Sequence, residues 1–126
     1  MTVSPETARR RLDAEQARLT QLRDDLAAQV ADEQASASAE LSKIDQHPAE
    51  MGTETEDRER DVSVLEQVRG ELADVADAYA RLEAGTYGTC EVCGRPIGEE
   101  RLEAIPGARR CAEHQLAAEA SEGPIA

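Results

Sequence analysis

Four residues near the C-terminal end have the types and spacing of a metal site: Cys90, Cys93, Cys111 and His114, in the pattern C-x2-C-x17-C-x2-H. A pair of thiolates separated by two residues and followed by Gly94 forms a knuckle that curls around a cation, because glycine permits the tight return of the backbone. The second pair, Cys111 and His114, falls at a predicted helix start, which puts both side chains on one face about one turn apart. Four nitrogen and sulfur ligands complete a tetrahedral shell and leave no open position. The pattern therefore predicts one structural Zn2+ and no catalytic metal. It uses all three cysteines and one of the two histidines. The competing readings of these residues are buried thiols without metal, a redox dithiol and an iron–sulfur centre. The other histidine, His47, is read as a turn residue.

A site of this kind needs elements to carry it. Ser4-Pro5-Glu6 reads as a helix start: a capping hydroxyl, a proline suited to the first turn and an acid at the positive end of the dipole. From there Leu12, Leu19, Leu22, Leu26 and Val30 recur at helical steps, and Ala37, Leu41 and Ile44 resume the stripe, so a helix of about 40 residues extends to His47-Pro48. Gly52 suggests a turn, and Thr53 with Glu56 suggests a capping box opening a second helix. In that helix Leu65, Leu72 and Tyr79 alternate by sevens with Val68, Val75 and Leu82, the two seam positions of a coiled coil. Gly85 offers a left-handed C-cap. Neither helix can bury its stripe alone, so the two are expected to pack antiparallel.

The expected fold is all-α: a long antiparallel coiled-coil hairpin over residues 1–85 with its tip at 45–54, then a small Cys3His zinc-finger module with a short C-terminal helix over 86–120, and a tail at 121–126. Composition agrees. Of the apolar residues 22 are alanine, and Leu, Val, Ile and Met together number 23, with no Phe or Trp. That is thin for a sphere but sufficient for a helix-on-helix seam. The formal net charge of −13 opposes direct binding to nucleic acid and favours a basic protein surface or a metal-bearing cleft as partner. No apolar run approaches the length of a membrane span, and Met1–Pro5 lacks the apolar core of a secretion signal. With an odd number of cysteines besides, a reducing cytoplasm is the expected location.

The stretch Tyr87-Gly88-Thr89-Cys90-Glu91-Val92-Cys93-Gly94, with Ile97-Gly98, Arg101-Leu102-Glu103-Ala104 and Pro106, resembles the zinc-finger signature of the TraR/DksA family. The resemblance is specific over residues 87–114 and architectural over residues 5–44. It implies a bacterial transcription factor that binds RNA polymerase through its secondary channel without reading DNA, the hairpin tip reaching toward the catalytic centre. His114 stands where the family has a fourth cysteine. The tip reads Asp45-Gln46-His47-Pro48-Ala49-Glu50, similar to a D-N-H-P-A-D tip in one branch of the family, so Asp45 and Glu50 are the candidate partner-binding carboxylates. Some members bind the alarmone ppGpp through basic residues. The matching positions here are Asp74, Ile105 and Gln115, so no ppGpp binding is expected.

Together these features favour a non-enzymatic regulator of RNA polymerase, the alternative being a coiled-coil adaptor or scaffold with a structural zinc site. Glu54, Glu56, Asp57, Glu59 and Asp61 would face a basic polymerase surface or, equally, water. A monomer is expected, since the hairpin satisfies its own seam.

Overall fold

The computed structural model describes the backbone of residues 3–41 and 48–122, and the side chains of residues 3–37 and 56–121. Four helices follow in chain order: α1 (Pro5–Leu41), α2 (Pro48–Ala84), α3 (Glu99–Ala104) and α4 (Ala112–Glu122). Among the described residues there is no strand, only an isolated bridge between Thr89 and Pro96. At 1.5 Å rise per residue the 37-residue helices α1 and α2 are each about 55 Å long.

The start of α1 is the expected one. Ser4 Oγ accepts a hydrogen bond from the Thr7 backbone N–H at 3.2 Å, and Pro5 is the first helical residue. The start of α2 is not: it begins at Pro48 and runs through Gly52, so Thr53 lies inside the helix and is no cap. Proline is at home in a first turn because its missing N–H would lack an intrahelical partner there, and that preference outweighs the roughly 1 kcal/mol that an interior glycine costs. α2 ends as expected. Gly85 has φ +79, its N–H donates to Leu82 O at 3.3 Å, and the Thr86 N–H reaches back to Arg81 O at 2.9 Å. Both bonds of a Schellman motif are thus present. α4 continues to Glu122, two residues into the expected tail.

The chain divides into two compact units, residues 1–17 with 71–126, and residues 18–70. In the second unit α1 and α2 run side by side and antiparallel. Val30 of α1 and Leu65 and Val68 of α2 are buried, and the Gln29 amide donates to Asp61 at 3.1 Å and to Glu33 at 3.3 Å. Leu22, placed in the stripe by its spacing, is 37% exposed. In the first unit the opening turns of α1 lie along the closing turns of α2. Ala8, Leu12, Val75 and Ala78 are buried there, and Tyr79 Oη donates to Asp13 at 2.5 Å. Tyr79 and Leu72, placed in the seam by their spacing, are only half-buried, whereas Ala78 is fully buried. Desolvation and the Asp13 carboxylate push the Tyr79 hydroxyl up to about 12, so it stays protonated as a donor.

Candidate metal centre

After Gly85 the chain turns back through further glycines of positive φ, first Gly88 (φ +84) and Gly94 (φ +73) and then Gly98 (φ +107). At Gly88 a side chain would also press on Leu102, since a Cβ there falls 3.3 Å from Leu102 Cδ1. Between the first and last of these glycines the knuckle closes on itself. The Cys90 N–H donates to Arg95 O at 2.8 Å, the Gly94 N–H to Cys90 O at 3.0 Å, and the Ile97 N–H to Gly88 O at 2.8 Å. These bonds hold Cys90 and Cys93 on one side of the loop.

The second pair is brought to the first by a return segment anchored at several points. The Glu91 N–H donates to Arg109 O at 2.9 Å, and the Glu91 carboxylate pairs with Arg110 at 3.1 Å. Arg101, in α3, donates from Nε to Arg110 O at 3.1 Å, and Tyr87 Oη donates to Pro106 O at 2.8 Å. Gly107 lies directly on α2: a Cβ there would sit 3.3 Å from Val75 Cγ2 and 3.4 Å from the Val75 backbone N. Arg109 pairs with Asp74 at 3.4 Å and Arg81 donates to Ala108 O at 3.4 Å, so the return segment is fastened to α2 on both sides of that contact. Asp74 is half-buried, and its desolvation raises its pKa above the usual carboxylate value although Arg109 and Arg110 oppose the shift. Cys111 then precedes α4, with the Gln115 N–H donating to Cys111 O at 2.9 Å as the first helical bond, so His114 follows on the same face.

The result is a convergence of Cys90, Cys93, Cys111 and His114, whose ligand atoms all lie within 4.8 Å of one another. His114 turns Nδ1 inward, 3.1 Å from Cys111 Sγ and 3.8 Å from Cys90 Sγ. Tetrahedral zinc, with bonds of about 2.3 Å to sulfur and about 2.0 Å to nitrogen, separates its ligand atoms by about 3.5–3.8 Å. The donor set and its spacing fit that ion. The thiols themselves respond to the crowding. Burial raises Cys90, but backbone N–H groups of Cys111, Cys93 and Val92 outweigh it and bring the thiol down to about 6. At Cys93 the Arg95 N–H lowers the pKa, yet desolvation and the two neighbouring sulfurs win and raise it. One sulfur is readied as a thiolate while its neighbour resists a second negative charge, a conflict that a divalent cation relieves. Cys90 is 1% exposed and packs in a small core with Ile97, Leu102 and Ala108, joined by Val3, Tyr87 and Cys111.

Of the other residues singled out from sequence, Asp45 lies outside the described residues, as does the side chain of Glu50. The anchoring contacts of Tyr87, Arg101, Arg109 and Arg110 were not foreseen, nor was α3. Its signal was present in Glu99–Ala104, a run of good helix formers bounded by Gly98 and Pro106.

Knuckle, return segment and cluster define a zinc finger in which the metal ties together pieces of chain too short to fold alone. Residues 85–119 match the family described as the prokaryotic dksA/traR C4-type zinc finger. That match and the convergence of Cys90, Cys93, Cys111 and His114 indicate a structural zinc in this segment, with three cysteines and a histidine where a C4 finger has four cysteines. It is 44% identical over 75 residues to the uncharacterized protein YteA of Bacillus subtilis, covering 60% of this chain and 31% of that one. It is 46% identical over 77 residues to general stress protein 16O of the same organism, covering 60% and 47%. To the RNA polymerase-binding transcription factor DksA of Caulobacter vibrioides it is 36% identical over 67 residues, covering 53% and 47%. The chain thus spans less than half the length of each of these relatives. Among the described residues no helix is long and apolar enough to cross a membrane.

Proposed function

We propose that the chain is a transcription regulator that binds RNA polymerase through its secondary channel without reading DNA, and that Cys90, Cys93, Cys111 and His114 are the four ligands of its structural zinc. The observation that carries the functional reading is the dksA/traR finger at residues 85–119, together with a relative named for binding RNA polymerase. The net charge of −13 supports it, since an anion of this size is repelled by the DNA backbone and attracted to basic protein surface. Exposed Glu56, Asp57 and Glu59 on α2 add to that field, and Leu116, 67% exposed on α4, offers an apolar contact beside the finger. In this reading Asp45 and Glu50 present the working carboxylates, the protein acts in the cytoplasm as a regulator rather than an enzyme, and Asp74, Ile105 and Gln115 provide no basic site for ppGpp.

The test has two arms. The zinc-loaded chain should be retained on immobilised RNA polymerase in a salt-sensitive manner and pass through immobilised promoter DNA. The double variant Asp45→Asn, Glu50→Gln should keep polymerase binding and lose its effect on transcription from a purified template. Equal or tighter retention on bare DNA refutes the reading; unchanged transcription by the double variant refutes the tip assignment alone.

A further inference from the structure

The four converging side chains are unequally protected. Cys93 is exposed, Cys111 and His114 are half-buried, and Cys90 is sealed at 1% exposure. A competing chelator must replace the protein ligands in turn, so a sulfur sealed from solvent slows complete removal of the metal. Among the described apolar residues, the core that contains Cys90 is built from Ile97, Leu102 and Ala108, with Tyr87 and Cys111 against them, all within the finger, and from one residue outside it, Val3, near the other end of the chain.

We propose that Val3 is a closure of the metal centre, so that zinc leaves slowly only while the Val3 side chain stays seated on the finger's core. The inference rests on the assignment of the four ligands above. The seat of Val3 is fixed by the start of α1. Ser4 caps the helix through its hydroxyl, and its carbonyl accepts from the Ala8 N–H at 2.9 Å, so Val3 leaves the helix in a set direction. Val3 and Ala8 occupy the two positions of a hydrophobic staple, and Ala8 is fully buried. Ser4 also donates from its hydroxyl to Thr7 Oγ1 at 2.9 Å, which ties the cap to the first turn. Among the described apolar residues of the finger's core Val3 alone comes from outside the finger, so moving it leaves the knuckle's own hydrogen bonds in place while it admits water and chelator to the apolar side of the core.

The experiment uses the full chain loaded with zinc and follows transfer of the metal to the chromophoric chelator 4-(2-pyridylazo)resorcinol. Val3→Asp should release zinc roughly tenfold faster than wild type and Val3→Ala about threefold faster, in the order of apolar burial lost, while Val3→Leu should change the rate little. All should begin with one zinc per chain and wild-type helicity. Val64→Asp, at a partly exposed apolar position of the other unit, should leave the rate unchanged. Equal rates for Val3→Asp and wild type overturn the closure, as does an equal acceleration by Val64→Asp, which would trace the effect to general destabilisation. A wild-type chain that takes up no zinc overturns the ligand assignment, and the closure with it.

Discussion

Stripping the zinc should melt the finger and spare most of the helix. Among the described residues, the buried large apolar side chains of the finger's core besides Cys90 are Ile97 and Leu102, with Val3 and Tyr87 only partly buried against them. Burying Ile97 and Leu102 is worth together about 3–6 kcal/mol, whereas a structural zinc in a small finger supplies about 10–16 kcal/mol near neutral pH. The metal therefore stabilises the finger more than its apolar core does, and without it the segment from Gly85 to the end of α4 has too little to order it. Helices α3 and α4 hold six and eleven residues, against 37 in each of α1 and α2. Loss of both short helices removes roughly a fifth of the helical residues if the finger alone unfolds. The assay is far-ultraviolet circular dichroism at 222 nm before and after a strong chelator, with re-addition of zinc to show reversal. Cys93→Ser should reproduce the chelated spectrum at any zinc concentration that saturates wild type. An unchanged spectrum would refute a structural metal. A collapse of nearly all helicity would refute the premise that the long helices hold themselves.

Other substitutions test separate contacts. Gly88→Ala forces a side chain into φ +84 and toward Leu102, and should cost about 1–2 kcal/mol, read as roughly tenfold weaker zinc affinity in chelator competition. Gly70→Ala, by contrast, meets nothing within 4 Å inside α2 and should stabilise the protein by about 0.5–1 kcal/mol in denaturant unfolding. Tyr87→Phe removes the donor to Pro106 O and should cost about 1 kcal/mol by the same measurement. The neighbouring Asp61 carboxylate and partial desolvation raise the Glu33 pKa above its ordinary 4.5. Above that raised value the ionised pair destabilises the fold, and the penalty fades as pH falls through it. Glu33→Gln should accordingly be more stable than wild type at pH 7, and the difference should vanish below about pH 4.5; a difference that grows with acid would reverse the assignment.

The convergence of Cys90, Cys93, Cys111 and His114 was legible because these are rare residue types at a spacing that coordination geometry requires, and Gly94 marks the turn after the first pair. Ser4 and Gly85 were legible for a similar reason, each being a local requirement of a helix end. The start of α2 was misplaced because two local signals competed, and Pro48 prevailed over Thr53. The burial of Ala78 has no signal in the heptad of large residues, since an alanine fits a seam and a solvent face alike. The contacts of Val3 and of Arg109 with Asp74 have no pattern at all: each joins residues far apart in the chain, and only the folded geometry brings them together.

Gly107 has a mechanical consequence. Where it meets Val75 and Asp74 the approach is main chain on helix, with no side chain of its own interposed. A joint of that kind has few rotamers to exchange, so its spacing is set by atomic radii rather than averaged over conformers. The closing turns of α2 and the metal module should consequently tumble as one stiff piece, and any force transmitted to one is delivered to the other without slack.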